Sequence, residues 1–195
     1  GLSAGIRNFR LYIMVGLPFE EEEDIDAIID LAERLKDYME ARGSKGTLTL
    51  SVNPFIPKPF TPFQWEPMAD RKTVEKRLKR LEKTLRRRKH VVVNIESPKE
   101  AYIQGVLSRG DRRVGEALMR AHELGGSKAF KRALKELRLD PAFYLYRKRP
   151  ESELFPWERL DMGFKKSYLY EELKRAEALK PTIPCFEGCH RCGVC

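Results

Sequence analysis

Apolar positions along this chain follow two alternating rhythms. Residues 9–16 (FRLYIMVG) form a continuous apolar run of strand length, the kind that a parallel sheet covers on both faces. The run stops at Gly16-Leu17-Pro18. After the acids at 20–24, which suit the positive end of a helix, Ile25, Ile28, Ile29, Leu31, Leu35 and Tyr38 trace one helical stripe that ends at Gly43. Residues 47–52 read as a second strand. Residues 71–89 read as a second helix, with Val74, Leu78, Leu81 and Leu85 at spacings of three and four, and 90–95 (HVVVNI) as a third strand. Strand, helix, strand, helix, strand in that order predicts right-handed βαβ units and a parallel sheet.

The second strand runs into a loop studded with Pro54, Pro57, Pro59 and Pro62. Proline lacks the amide hydrogen a ladder needs and holds φ near one value, so this loop stays out of a sheet and follows a stiff path. Such a loop suits either the wall of a ligand site or a cap over a core built with Phe55, Phe60, Phe63 and Trp65. Beyond Pro98 the texture turns helical, at 100–107, 114–124 and 128–137, with breaks at Gly110, Gly125-Gly126 and Pro141. Residues 141–161 are irregular and aromatic, a lid or packing strap, and 165–178 is one more amphipathic helix. The division expected is 1–97 for the βα units, 98–180 for a mainly helical region and 181–195 for a cysteine-rich tail. Three strands cannot close a barrel and leave two unpaired edges, so the pattern calls for an oligomer that completes the sheet or for the carboxyl-terminal part of a longer chain with the missing amino-terminal half. The opening GLSAG, without an initiator Met, reads as a processed product or an excised piece.

Charge adds one question. The 195 residues carry 38 basic and 29 acidic side chains, a net charge of +9, and much of the excess lies in 71–90. That helix is either a solvated basic face or a contact for RNA or another polyanion; no aromatic residue interleaves with its charges to stack bases. Ser108-Arg109-Gly110-Asp111-Arg112-Arg113 also supports two readings. Asp111 is placed to cap a following helix, and Arg109, Arg112 and Arg113 are placed to hold a phosphate or carboxylate. No long uncharged apolar run predicts a membrane span.

The four cysteines, Cys185, Cys189, Cys192 and Cys195, form C-x3-C-x2-C-x2-C at the very end. Thiols confined to one tail make no disulfide framework; they point to a metal in a reducing compartment, the cytoplasm. Gly188 and Gly193 let the chain wrap tightly, and soft sulfur ligands select Zn or an iron–sulfur cluster. A fourth cysteine closes such a centre, which makes it structural or electron-carrying. With three histidines and no G-x-S-x-G, P-loop or H-E-x-x-H, no catalytic acid–base set emerges.

The turn at 11–18 with its acidic helix start, the stretch NPFIPKPFTPFQW at 53–65, SRGDRR at 108–113, PWERLDMG at 156–163 and the terminal CGVC together resemble the carboxyl-terminal half of the B12-binding-domain radical S-adenosylmethionine (SAM) proteins. The resemblance spans nearly the whole chain. It implies an α/β fold, a partial radical SAM (β/α) barrel of about three parallel strands followed by a helical region and the tail. It also implies that Val15, Gly16, Leu17, Pro18, Asn53 and Pro54 lie at the barrel mouth near the adenosyl group of SAM. The cluster motif that precedes the strands in that family is absent here, so the chain alone is expected not to cleave SAM, and any cobalamin would belong to the longer parent.

Overall fold

The computed structural model describes residues 1–194; Cys195 lies outside the described residues. Three strands, β1 (Phe9–Val15), β2 (Leu48–Pro54) and β3 (Val91–Ile95), form one parallel sheet in the order β1-β2-β3. Seven α-helices accompany them among the described residues: α1 (Glu22–Ala41), α2 (Arg71–Leu85), α3 (Pro98–Arg109), α4 (Arg112–Glu123), α5 (Phe130–Glu136), α6 (Pro141–Leu145) and α7 (Lys166–Glu177). The α/β order is the one expected. The chain divides into two compact units, 1–55 with 69–102, and 56–68 with 103–195, so the proline loop belongs to the second.

In the first unit the strand alternation sorts the sheet into two unlike faces. Phe9, Leu11, Ile13 and Val15 stand in register with Leu48, Leu50, Val52 and Pro54, and Val91, Val93 and Ile95 continue the row. These residues form the core with Ile25, Ala32 and Met39 of α1 and Val74, Leu78, Leu81 and Leu85 of α2. The other face carries Arg10, Tyr12 and Met14 beside Thr49, Ser51 and Asn53, with Val92 and Asn94 on β3. Tyr12 is 74% and Met14 51% exposed. The expectation that the first strand is covered on both faces is therefore corrected: an amphipathic Tyr and a Met make the alternation look continuous when only every second side chain is packed.

The helices begin and end where side chains or glycine satisfy their free backbone groups. Asp70 caps α2 by accepting from the amides of Lys72 and Thr73. At the end of α1, Gly43 takes φ 70° while Ser44 N donates to Met39 O and Gly43 N to Glu40 O, a Schellman stop. The basic face of α2 meets the acids at and before the start of α1 and along it: Arg77 pairs with Glu20, which precedes α1, and with Glu22, Arg80 with Glu22 and Asp26, and Arg88, just past the helix, with Glu33, Asp37 and Glu40. Much of the charge that suggested a polyanion surface is answered within the unit.

In the second unit Trp65 is the hub of a cluster with Phe155, Trp157, Leu169 and Leu173. Its ring meets Phe155 edge-on at 5.6 Å and Tyr170 at 5.1 Å. Gln64 Oε1 accepts from Trp157 Nε1 at 2.8 Å and from Phe60 N at 3.2 Å, so the proline loop and the aromatic strap are tied by the same amide. Of the four aromatics expected to cap a core, Trp65, Phe60 and Phe63 join this cluster, while Phe55 belongs to the first unit. Backbone bonds from Met68 N to Leu145 O and from Arg149 N to Trp65 O continue the tie. Gly105 lets α3 approach closely, because a Cβ there would stand 2.6 Å from Leu145 Cδ2 and 3.0 Å from Met68 Sδ.

Candidate functional site

The residues expected at a ligand mouth gather at the carboxyl edge of the sheet. Met14 stands opposite Asn53 and Val15 opposite Pro54, and Phe55 N donates to Val15 O at 2.8 Å. Gly16 follows with φ 90°, and a Cβ there would come within 3.0 Å of Val74 Cγ2, so both conformation and space demand glycine. The Gly16 and Leu17 amides are already used: both carboxylate oxygens of Glu20 accept from Gly16 N at 2.9 Å, and one accepts from Leu17 N. Arg77 then locks Glu20 with a 2.7 Å bond to its carboxylate and a 3.0 Å bond to its carbonyl. This arrangement fixes the shape of the turn and uses up its two amides. Asn53 is half-buried on the face opposite α1 and α2, whereas Val15 and Pro54 are buried on the helix face.

The three arginines of the SRGDRR motif part company. Arg109 is 1% exposed; its Nε donates to Tyr144 O at 2.7 Å and its Nη1 to Glu66 O at 2.8 Å. Burial first, then the nearby Arg149 cation, pulls its pKa down to about 9. It is a strut inside the unit, tying α3 to the backbone of two distant segments, and it does not share a surface clamp with Arg112 and Arg113. Those two are exposed at the start of α4, where Asp111 caps the helix by accepting from Arg113 N and also holds the Arg113 guanidinium at 2.6 Å. The capping role expected for Asp111 is the one observed.

The tail folds back on the start of α7. Lys165 N donates to Cys192 O at 2.8 Å and Lys165 Nζ to His190 O at 3.1 Å, while Arg191 Nη2 reaches Ile183 O at 2.6 Å. Cys189 is buried, Cys192 half-buried and Cys185 exposed, all three as free thiols. Hydrogen bonds from the Arg191 backbone amide and then its guanidinium, the latter 3.3 Å from the sulfur, hold the Cys189 thiol below its ordinary pKa. Thiolate sulfur is the donor a thiophilic metal takes, and the Arg191 donors aimed at Cys189 are of the kind a metal-bound thiolate has around it. Among the described residues no three His, Cys, Asp or Glu side chains are gathered into a metal cage. Cys195, the fourth expected ligand, lies outside the described residues. Among the described residues no helix is long and apolar enough to cross a membrane.

Two contributors escaped the sequence reading. Glu20 reads as one acid among five at a helix start, and only its spacing of four from Gly16, across a Leu-Pro turn, hinted at a carboxylate bent back onto amides. Arg191 sits between two cysteines, where a basic residue next to a thiol is the available signal.

No family model matches the chain. An uncharacterized protein of Methanocaldococcus jannaschii is 33% identical over 114 residues, which is 58% of this chain and 24% of that protein. The chain therefore spans about a quarter of the length of this relative. No solved structure matches.

Proposed function

We propose that this chain is the carboxyl-terminal part of a radical SAM protein of the B12-binding-domain kind, supplying later βα units of a partial barrel and a cysteine tail that holds its own metal. The observation that carries this reading is the meeting of Gly16-Leu17-Pro18 and Asn53 at the carboxyl edge of a parallel sheet whose own unit packs helices α1 and α2 on one face. Ligand sites of barrel enzymes lie at that edge. The opposite face, with Arg10, Tyr12, Ser51, Asn53 and Asn94, has the mixed polarity of a chamber lining. In the described chain β1 and β3 each pair on one side only, as strands do where a barrel continues.

In enzymes of this kind a 4Fe-4S cluster supplies the electron that splits SAM to the 5′-deoxyadenosyl radical. The residues here would shape the adenosyl end of that pocket: the Glu20-locked turn gives a rigid wall and Asn53 gives a hydrogen-bonding amide. Cobalamin binding would belong to another domain of the parent. In the tail, Cys185, Cys189 and Cys192 with Cys195 would hold Zn or an auxiliary iron–sulfur cluster.

The test is anaerobic incubation with SAM and a strong reductant, read as 5′-deoxyadenosine formed. The 195-residue chain alone should form none. A longer protein that carries this chain behind a cluster motif should form it, and its N53A variant should bind SAM at least about tenfold more weakly, the scale of one lost buried hydrogen bond. Turnover by the chain alone, or an N53A variant with unchanged SAM affinity, contradicts the reading.

A further inference from the structure

A second site lies wholly within the second unit and owes nothing to the barrel reading. A groove of about 870 Å³ opens between the start of α4 and the strap around residues 154–159. Its charged groups are unevenly matched. Asp111 is neutralised by Arg113 at 2.6 Å. Glu158 is neutralised by Lys166 at 2.5 Å and also accepts from Phe155 N. Arg112 and Arg159 are both exposed, both line the groove, and neither has an ion-pair partner among the described residues. Two uncompensated guanidiniums therefore flank one groove, at the positive end of the twelve-residue helix α4.

Behind the wall the Arg149 guanidinium lies 5.5 Å from the ring of Phe155, which lines the groove. Arg149 is almost fully buried and already engaged within the unit: its Nε stands 3.7 Å from Glu153 Oε1 and its Nη2 donates to Arg109 O at 3.4 Å. The same wall offers apolar surface to solvent, since Leu154 is 85% exposed beside Pro156.

We infer that this groove binds a small phosphomonoester, its dianionic phosphate between Arg112 and Arg159 and its organic body against Leu154 and Pro156. The two free charges match a phosphate dianion, which accepts paired bonds from planar guanidiniums. The volume exceeds what a bare phosphate fills, and the exposed leucine gives the remainder of the ligand something to cover.

The experiment is calorimetric titration of the full chain at low salt with inorganic phosphate and, separately, with adenosine monophosphate. Saturable binding of both is expected, tighter for the nucleotide. The R112A/R159A variant should lose at least about tenfold for each ligand, the scale of lost charge-assisted bonds, while R87A, which removes an exposed arginine from the first unit, should bind as the original does. Because both groove arginines are exposed, the double variant should retain its circular dichroism spectrum. L154A should weaken the nucleotide and leave inorganic phosphate unchanged. No saturable binding by the unaltered chain, equal affinity in the double variant, or an equal loss in R87A overturns the proposal. So does tight binding of single-stranded RNA without affinity for either phosphate probe, which would make the groove a nucleic-acid surface.

Discussion

In the first unit the buried side chains come from positions two apart on strands and three or four apart on helices, whereas in the second the largest buried side chains answer to partners far along the chain. Leu48, Leu50 and Val52 meet Val74, Leu78 and Leu81 as two regular rows. Trp65, by contrast, depends on Phe155 and Tyr170, and Arg109 on the carbonyls of Glu66 and Tyr144. The contrast teaches where each unit is vulnerable. A row of similar contacts loses stability in increments, while a hub loses it at one residue.

The hardest blow should be W65A. Trp65 has no exposed surface, and deleting a buried indole costs about 3–5 kcal/mol. Chemical denaturation should show that loss, and hydrogen exchange should quicken at α7 amides while β2 amides keep their protection. Next comes R77A, which leaves the Glu20 carboxylate buried without its cation at a cost of about 2 kcal/mol, again read by denaturation. If R77A proves neutral, the turn at the sheet's carboxyl edge is held by the Gly16 and Leu17 amides without the cation. G16A should cost about 1–2 kcal/mol, because φ 90° is strained for alanine and the new methyl crowds Val74.

The smallest effect carries a pH signature. Bonds from the Thr73 side chain first, and then from its backbone amide, hold the Asp70 carboxyl below its ordinary value of 3.8. A carboxylate favoured in the folded state adds stability above the unfolded pKa and loses it as pH falls through the folded one. D70A should therefore cost about 1 kcal/mol at pH 7, with the difference from the original chain shrinking as pH falls below 3.8.

The same contrast governs what could be read from sequence. The strands, α1 and α2 were legible because their hydrophobic spacing is local; their observed bounds differ from the expected ones by a few residues at most. The exposed face of β1 was hidden because Tyr12 and Met14 count as apolar by composition while standing on the side away from α1 and α2. Arg109 looked like a clamp because nothing near it in sequence says that two carbonyls, 35 and 43 residues away, would enclose it. Glu20 looked like a helix-start charge because Arg77 is 57 residues distant. In the tail, cysteine spacing announced thiolate chemistry, but the Arg191 donation to Cys189 depends on a fold that spacing does not encode.

The most direct test of the account is metal analysis with a visible spectrum of the chain purified without air, compared with the C189S/C192S variant. Retained Zn or iron, lost in the variant, is the predicted result; about four irons with a broad brown absorbance would identify a 4Fe-4S cluster, and one colourless Zn a structural clasp. A chain that retains neither metal, or a variant that keeps its metal in full, would contradict the assignment of the tail as a metal site.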